Sequence, residues 1–472
     1  MCRAFHVMFP VQPPITLAIR NQTHVVKQML SPSEGRREHF SWSRGSIANM
    51  EDWHIVLGIR EAWGQDQPFA LSPRDRRQHL YVIGKSGTGK TTLLRNLIYQ
   101  DIAAGHGVGV IDPHGDLATE LLDLIPSHRI EDVVYFNPSD MEYPIGFNLL
   151  GQTLPDNRHL VASGVVGVFK SIWSNSWGPR MEYVLYATVA ALLDCDNVSL
   201  LGIQRMLSDA KYRAWVVKQI KDPLVRAFWV EEFESFNRSL QNEMVAPIQN
   251  KVGQLLMSPH LRNILGQIRC RLDARFMMDE GRIFIADMSK GKLGADKANL
   301  LGALLVTQFE LAAMSRANIP ESERRDFHLY IDEFQSFATD SFVSILSEAR
   351  KYRLCLTLSH QYTNQIRPEI REAIFGNVGS IVAFRVGQRD AENLEREFGA
   401  AYPAQRFVDL HNHEICAKVL RDGEHGDPFV ARTLPPWGDR HGHRAKIIRR
   451  SREKYGTSRK VIEDKIRRWR RK

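Results

Sequence analysis

HLYVIGKSGTGKTTLLRNLIYQ, residues 79–100, decides the fold. A short apolar run, HLYVIG, reads as a buried strand. A glycine-rich turn follows, and then a helix from Lys90 to Ala104. The turn GKSGTGKT, Gly84 to Thr91, matches GxxxxGK[ST] in the one context where that pattern carries weight, after a strand and opening a helix. Glycines let backbone N–H groups curl around phosphate, where the helix dipole also favours negative charge. The pattern therefore implies an ATP–Mg²⁺ site built from Gly84, Lys85, Ser86, Gly87, Thr88, Gly89, Lys90, Thr91 and Thr92. Lys90 is expected on the β/γ-phosphates and the Thr91 hydroxyl on Mg²⁺.

Outward from this turn, GVGVID (107–112) and VVYF (133–136) read as two further buried strands, with an amphipathic helix around Leu117 to Leu124. Strands alternating with helices imply a parallel sheet covered on both faces. The alternation stops between about Asp156 and Leu265, where the period is helical and aromatics such as Trp173, Trp177, Tyr183, Phe228 and Trp229 supply core. Strands resume at IFIAD (283–287), HLYID (328–332), LCLTL (354–358) and SIVAF (380–384). The expected fold class is α/β, a P-loop NTPase sheet domain split by an all-α insertion. Its parts would be the sheet domain at 51–155 and 266–430, the insertion at 156–265 and a basic tail at 431–472. Residues 1–50 mix Pro, Ser, Arg and His without periodicity and are expected to be poorly ordered, with Met50 opening the patterned segment.

HLYIDE places Asp332 and Glu333 at the carboxyl end of a buried strand, where open α/β sheets put their ligands. Asp332 would hold Mg²⁺ through water, and Glu333 would orient and deprotonate the attacking water. DPHGD, Asp112 to Asp116, ends the strand after the P-loop helix. Its carboxylates either support the magnesium shell or cap the next helix, and His114 reads as a loop residue. Arg350, in SEARKYR, is either a solvated helix arginine or a cation for the leaving phosphate. Gln361 sits just past the strand LCLTL, where a side chain can touch the γ-phosphate or the attacking water, and Arg385 ends SIVAFR in a comparable place.

Composition narrows the class. The net charge of +9 is local: from Arg440 to Lys472 fifteen Lys/Arg face three Asp/Glu, so the remaining residues sum to −3. Any polyanionic partner inferred from net charge is thus a partner of the tail. Nucleic acid, an anionic membrane surface, or solvent alone are the three readings of that tail. Five widely spaced cysteines without CxxC fit a reducing compartment and exclude the usual zinc spacings. No run of about 18 uncharged apolar residues and no signal peptide is evident, so a cytoplasmic protein is expected, peripheral to a membrane at most through a partner or the tail.

The chain resembles the conjugative coupling proteins of type IV secretion, within the HerA/FtsK group of hexameric DNA-pumping ATPases. The resemblance rests on GKSGTGKT, IDPHGD, WGPRMEYVL (177–185), HLYIDEFQSF, LSEARKYRLCLTLSHQ and GNVGSIVAFRVG, and it spans roughly Glu51 to Val430. It implies a RecA-like motor domain carrying an all-α domain on the DNA-entry side, assembled into a homo-oligomeric ring, a hexamer, that moves double-stranded DNA. It further implies that Arg350 is an arginine finger supplied in trans and that Gln361 senses the γ-phosphate. One departure is the lack of the transmembrane helices that anchor many of these proteins, which leaves open a secretion channel, a relaxase or a nuclease as partner. The competing classes are a P-loop ATPase acting on a protein or small molecule, and a nucleotide-switched scaffold.

Overall fold

Long apolar runs with no polar face can bury both sides only at the centre of a layered sheet, and this is where they lie. The computed structural model describes residues 53–62, 64–151, 153 and 155–471, so the expectation for residues 1–50 falls outside the described residues. The strands are β1 (Ile55–Ala62), β2 (Gln65–Leu71), β3 (Leu80–Ile83), β4 (Gly107–Asp112), β5 (Val133–Phe136), β6 (Ile283–Asp287), β7 (Phe327–Ile331), β8 (Leu354–His360), β9 (Ser380–Ala383), β10 (Glu414–Lys418), the small pair β11 (Leu420–Arg421) and β12 (Glu424–His425), and β13 (Phe429–Thr433). Eleven of them form one sheet in the order β2-β1-β13-β10-β9-β3-β8-β7-β4-β6-β5. From β9 to β5 the strands are parallel, and these are the seven apolar runs read in the sequence. The fold is an α/β P-loop NTPase fold. An antiparallel extension, β10-β13-β1-β2, continues the sheet beyond β9 and was not read, because its strands carry polar and half-exposed residues such as Gln65, Asp66 and Gln67.

Alternate residues of β3 feed different cores. Leu80 and Val82 pack with α1 (Lys90–Ala104) and α2 (Asp116–Leu124), whereas Tyr81 and Ile83 join the larger cluster on the opposite face. Between β5 and β6 the described residues form helices and no strand, among them α3 (Arg158–Ile172), α4 (Pro179–Leu193) and α5 (Arg238–Met257). Their core is continuous with that of α6 (Ala295–Ser315), which covers the sheet. α3 and α6 touch so closely that a Cβ on Gly164 would stand 2.7 Å from the Thr307 methyl. Among the described residues, Ala295–Asn318 alone has the length and apolarity of a membrane span, and it is largely buried in this core.

The segment read as a basic tail is folded. Residues 444–471 form α8 (Arg444–Tyr455) and α9 (Arg459–Arg471), with α7 (Phe342–Glu348) lying earlier in the chain. α8 covers the edge strand β5, burying Ile447 and placing the Ser451 hydroxyl to accept from Tyr135 N at 3.1 Å. Arginines on and just before it meet carboxylates of the sheet domain: Arg440 with Glu120 at 3.3 Å, Arg444 with Asp123 at 2.6 Å, Arg450 with Glu131, and Arg452 with Asp140 at 2.6 Å. Singly such surface pairs contribute little, but four in a row fix where the helix lies. α9 buries Ile462 and Ile466 against the helical insertion and sets Trp469 beside Arg205 and Tyr212. Ile462, Ile466 and Trp469 fall at i, i+4 and i+7, an apolar stripe hidden in the sequence by the surrounding charge. That stripe is occupied inside the molecule.

Candidate nucleotide site

β3 ends at Ile83, and the chain must turn back sharply to start α1. Gly87 and Gly89 do this with φ of 76° and 118°, angles that side chains resist. Gly89 has a second reason to be glycine, since a Cβ there would stand 2.7 Å from His413 Nδ1. His413, itself at φ 67°, donates its backbone N–H to Thr88 O at 2.9 Å, so the turn before β10 buttresses the loop. The Thr88 hydroxyl donates to Lys85 O at 2.8 Å. Lys90 is buried and folds over the loop, its Nζ donating to Gly84 O at 2.6 Å and Lys85 O at 3.1 Å. Burial pulls the Lys90 pKa down, and the carboxylates of Glu333 and Asp332 oppose that shift. Lys85, Ser86, Gly87 and Thr91 are exposed, and Thr92 is half-buried at the start of α1.

β8 lies between β3 and β7, so the residues that follow these three strands converge at one edge. Asp332 follows β7, donates its N–H to Ile111 O at 3.2 Å and accepts from Glu333 N at 3.0 Å. Glu333 is held in the left-handed region at φ 47°, ψ 49°, a conformation a non-glycine residue adopts at a cost of about 1 kcal/mol or more. One of its carboxylate oxygens accepts from Gln361 Nε2 at 2.8 Å, and the other from Gln335 Nε2 at 2.6 Å. Burial, with Glu333 and Asp112 nearby, pushes the Asp332 carboxyl up to about 6. Burial is the largest cause of that shift, and the Lys90 cation opposes it. Lys290 stands beside Glu333 with its Nζ donating to Ser336 Oγ at 2.6 Å, and burial lowers its pKa. Burial and the nearby Lys90 cation lower the pKa of His360, at the end of β8, to about 3, so its imidazole is neutral.

Asp112 resolves differently. Its oxygens accept from His114 N at 2.8 Å and Ala118 N at 2.9 Å, so its carboxylate caps α2, and the carbonyl of His114 accepts from Ser289 Oγ at 3.1 Å in the loop. Of the residues singled out in the sequence, Lys90, Asp332, Glu333 and Gln361 come together. Arg350 does not join them. It is exposed in the single turn Ala349–Tyr352 that precedes β8, at the strand's opposite end. The seven residues of β8 at about 3.3 Å each separate it from Gln361 by roughly 20 Å. Arg385 lies beside the P-loop, its carbonyl accepting from Lys85 N at 2.8 Å and its Nη2 donating to Asn412 Oδ1 at 3.0 Å. Gln335, Lys290 and His413 were not singled out. Gln335 had a signal, standing two residues after Glu333, whereas only the sheet topology brings Lys290 and His413 here.

The donor set suits a magnesium-bound nucleoside triphosphate. An open cradle of backbone N–H groups and Lys90 offers positive charge, the Thr91 hydroxyl is exposed, and the buried Asp332 carboxyl keeps a raised pKa despite Lys90 nearby. A glycine-rich turn between a buried parallel strand and a helix, facing a carboxylate pair on a neighbouring stretch of the sheet, defines the class as a P-loop NTPase fold. More narrowly, the chain belongs to the type IV secretion-system coupling protein DNA-binding domain family, whose model matches residues 68–401. No curated protein sequence matches the chain. Among solved structures it is similar to the bacterial conjugative coupling protein TrwBΔN70 in its unbound form, with a TM-score of 0.59 and 16% identity over 79% of this chain and 88% of that one. It is similar also to plasmid coupling protein TrwB in complex with ADP and Mg²⁺, at a TM-score of 0.57, 16% identity and the same coverage. VirB4 of Thermoanaerobacter pseudethanolicus matches at a TM-score of 0.53 and 15% identity, over 80% of this chain and 96% of that one.

Proposed function

We propose that the chain is an ATPase that drives DNA movement, assembled as a ring of six copies. The observation that carries the ATPase part of this reading is Glu333, held in a costly backbone conformation between two amide donors, across from Lys90 and next to a buried Asp332. Lys90 and the loop from Gly84 to Thr92 bind the phosphates of ATP. Thr91 and Asp332 hold Mg²⁺, which neutralises charge developing on the phosphoryl oxygens. Glu333 orients the attacking water and takes its proton, while Gln361 reports to the same carboxylate whether the γ-phosphate is present. The ADP and Mg²⁺ in a TrwB complex of this fold support the nucleotide reading, and the DNA-binding description of the family supports the partner. Duplex DNA should stimulate turnover of the purified chain. A turnover indifferent to DNA would pass the function to the competing reading, an ATPase acting on a protein.

The position of Arg350 supports action in trans. It is remote from its own P-loop and carries no ion pair among the described residues, so it is free to enter a neighbour's site. An arginine finger accelerates turnover on the order of 10³-fold or more. Arg350→Ala should bind ATP, assemble and hydrolyse slowly, and mixing it with Glu333→Gln should restore some hydrolysis where one complete shared site forms. Full activity of Arg350→Ala alone would return the residue to the solvated surface.

A further inference from the structure

The two C-terminal helices dispose of their charge in opposite ways. On and just before α8 the arginines meet Glu120, Asp123, Glu131 and Asp140. On α9, Lys465 faces a cavity of about 410 Å³ that it shares with Arg269 and Arg271, in the connection from the helical insertion back to β6. No Asp or Glu lines this cavity, and none of the three cations has an ion pair among the described residues. Its floor is apolar, formed by Ile462, Ile466 and Trp469 as α9 docks. Asn197, on the rim, is held at φ 58°.

The three cations are exposed and line one cavity without a counter-ion among the described residues, and docking of α9 is what brings Lys465 to the two arginines. An anion between them would be attracted by all three. Guanidinium forks match phosphate oxygens, and the ammonium adds a point charge. A cavity of this size with one apolar wall is of the kind that holds a small ligand with a flat or apolar part. We propose that this cavity is a second anion site, separate from the P-loop, that takes a phosphate group of a nucleotide or of a nucleic-acid backbone. Bound phosphate bridges Arg269 and Arg271 to Lys465 and so latches α9 onto the helical insertion. The site does not depend on the motor reading, since phosphate would bind here whether or not the P-loop turns over ATP.

The test uses the full chain carrying Lys90→Ala, which weakens phosphate binding at the P-loop. Inorganic phosphate is titrated while tryptophan fluorescence is recorded, with Trp469→Phe as the blank. A saturable change that disappears in the blank is expected. Lys465→Glu places a carboxylate among the arginines, so binding should weaken at least about tenfold while the melting temperature holds or rises. Lys465→Arg should retain binding. Competition then separates the sources: displacement by a short duplex identifies nucleic-acid backbone, and displacement by thymidine monophosphate alone identifies a free nucleotide. Equal phosphate responses with and without the Lys465→Glu substitution, or no saturable change in the chain that keeps Lys465, would overturn the site.

Discussion

The two ends of the parallel sheet handle buried charge in contrasting ways. Near the amino ends of β3 and β7, beneath the last turn of α1, Arg76 donates to both oxygens of Asp101 at 2.7 Å and to the Tyr330 hydroxyl at 3.0 Å. Tyr330 in turn donates to Asp101 at 2.5 Å, and His328 Nε2 lies 3.3 Å from Arg76 Nη1. Burial alone would raise the Asp101 pKa, but Arg76 overrides it and holds the carboxyl well below its usual range. At the carboxyl ends the balance reverses. Lys90 donates to carbonyls, Glu333 is held only by neutral amides, and the Asp332 carboxyl rises to about 6. Charge satisfied in place makes architecture. Converging charge left unsatisfied makes room for a ligand whose own charges complete it.

That contrast is most exposed at Glu333. Glu333→Gln should lower kcat by on the order of 10²- to 10⁴-fold, the usual contribution of a general base. ATP binding, followed by a fluorescent analogue, should persist, because the phosphates are held by the loop and by Lys90. Turnover at the parental rate would move the base elsewhere.

At the other end the effect should fall on stability. Asp101→Asn removes the charge facing a buried guanidinium, and breaking such a pair costs about 3–5 kcal/mol. Urea unfolding should register that loss, while ATPase activity per folded molecule stays near the parental value. A loss of turnover in the folded variant would show that the two ends are coupled rather than divided in labour.

The carboxyl end was the more legible in sequence, for a physical reason. Central parallel strands are buried on both faces and read as unbroken apolar runs, so β3, β4, β7 and β8 and the residues capping them stand out along the chain. Glu333 and Gln361 then follow from their places just past β7 and β8. The two alternatives for Asp112 differ only in its hydrogen bonds to His114 and Ala118, which spacing does not encode. His413 and Lys290 reach the site from the turn before β10 and from the loop after β6, and spacing along the chain does not encode which strands are neighbours either. β2 and β13 were missed because half-exposed strands mix polar with apolar residues, and β1 and β10 because their buried stretches are short and bordered by charged residues. α8 and α9 were missed because their docking residues are few and set among arginines.

Glu310 puts the same division to a finer test, being a buried carboxyl that lacks a cation yet lies away from the nucleotide site. It sits on α6 at a cavity bordered by α3 and α4, where Ser344 Oγ donates to it at 2.9 Å. The charged groups around it are engaged elsewhere or repel it: Lys170 pairs with Glu182 at 3.1 Å, Asp340 pairs with Arg367, and Glu348 is a like charge. Burial raises the Glu310 pKa to about 7. The folded chain therefore keeps a proton that the unfolded chain releases at lower pH. Stability from this group is intact below about pH 4.5 and falls as pH rises toward 7, at about 1.4 kcal/mol per unit. Glu310→Gln cannot ionise, so its advantage over the parent should grow from nothing at about pH 4.5 to about 3 kcal/mol at about pH 8, measured by urea unfolding across that range. ATPase activity should not change, because Glu310 stands alone, whereas Asp332 has Glu333, Lys90 and Gln361 beside it. If turnover collapsed in the Gln variant, unsatisfied charge by itself would mark function, and the cavity between α3, α4 and α6 would become a second working site.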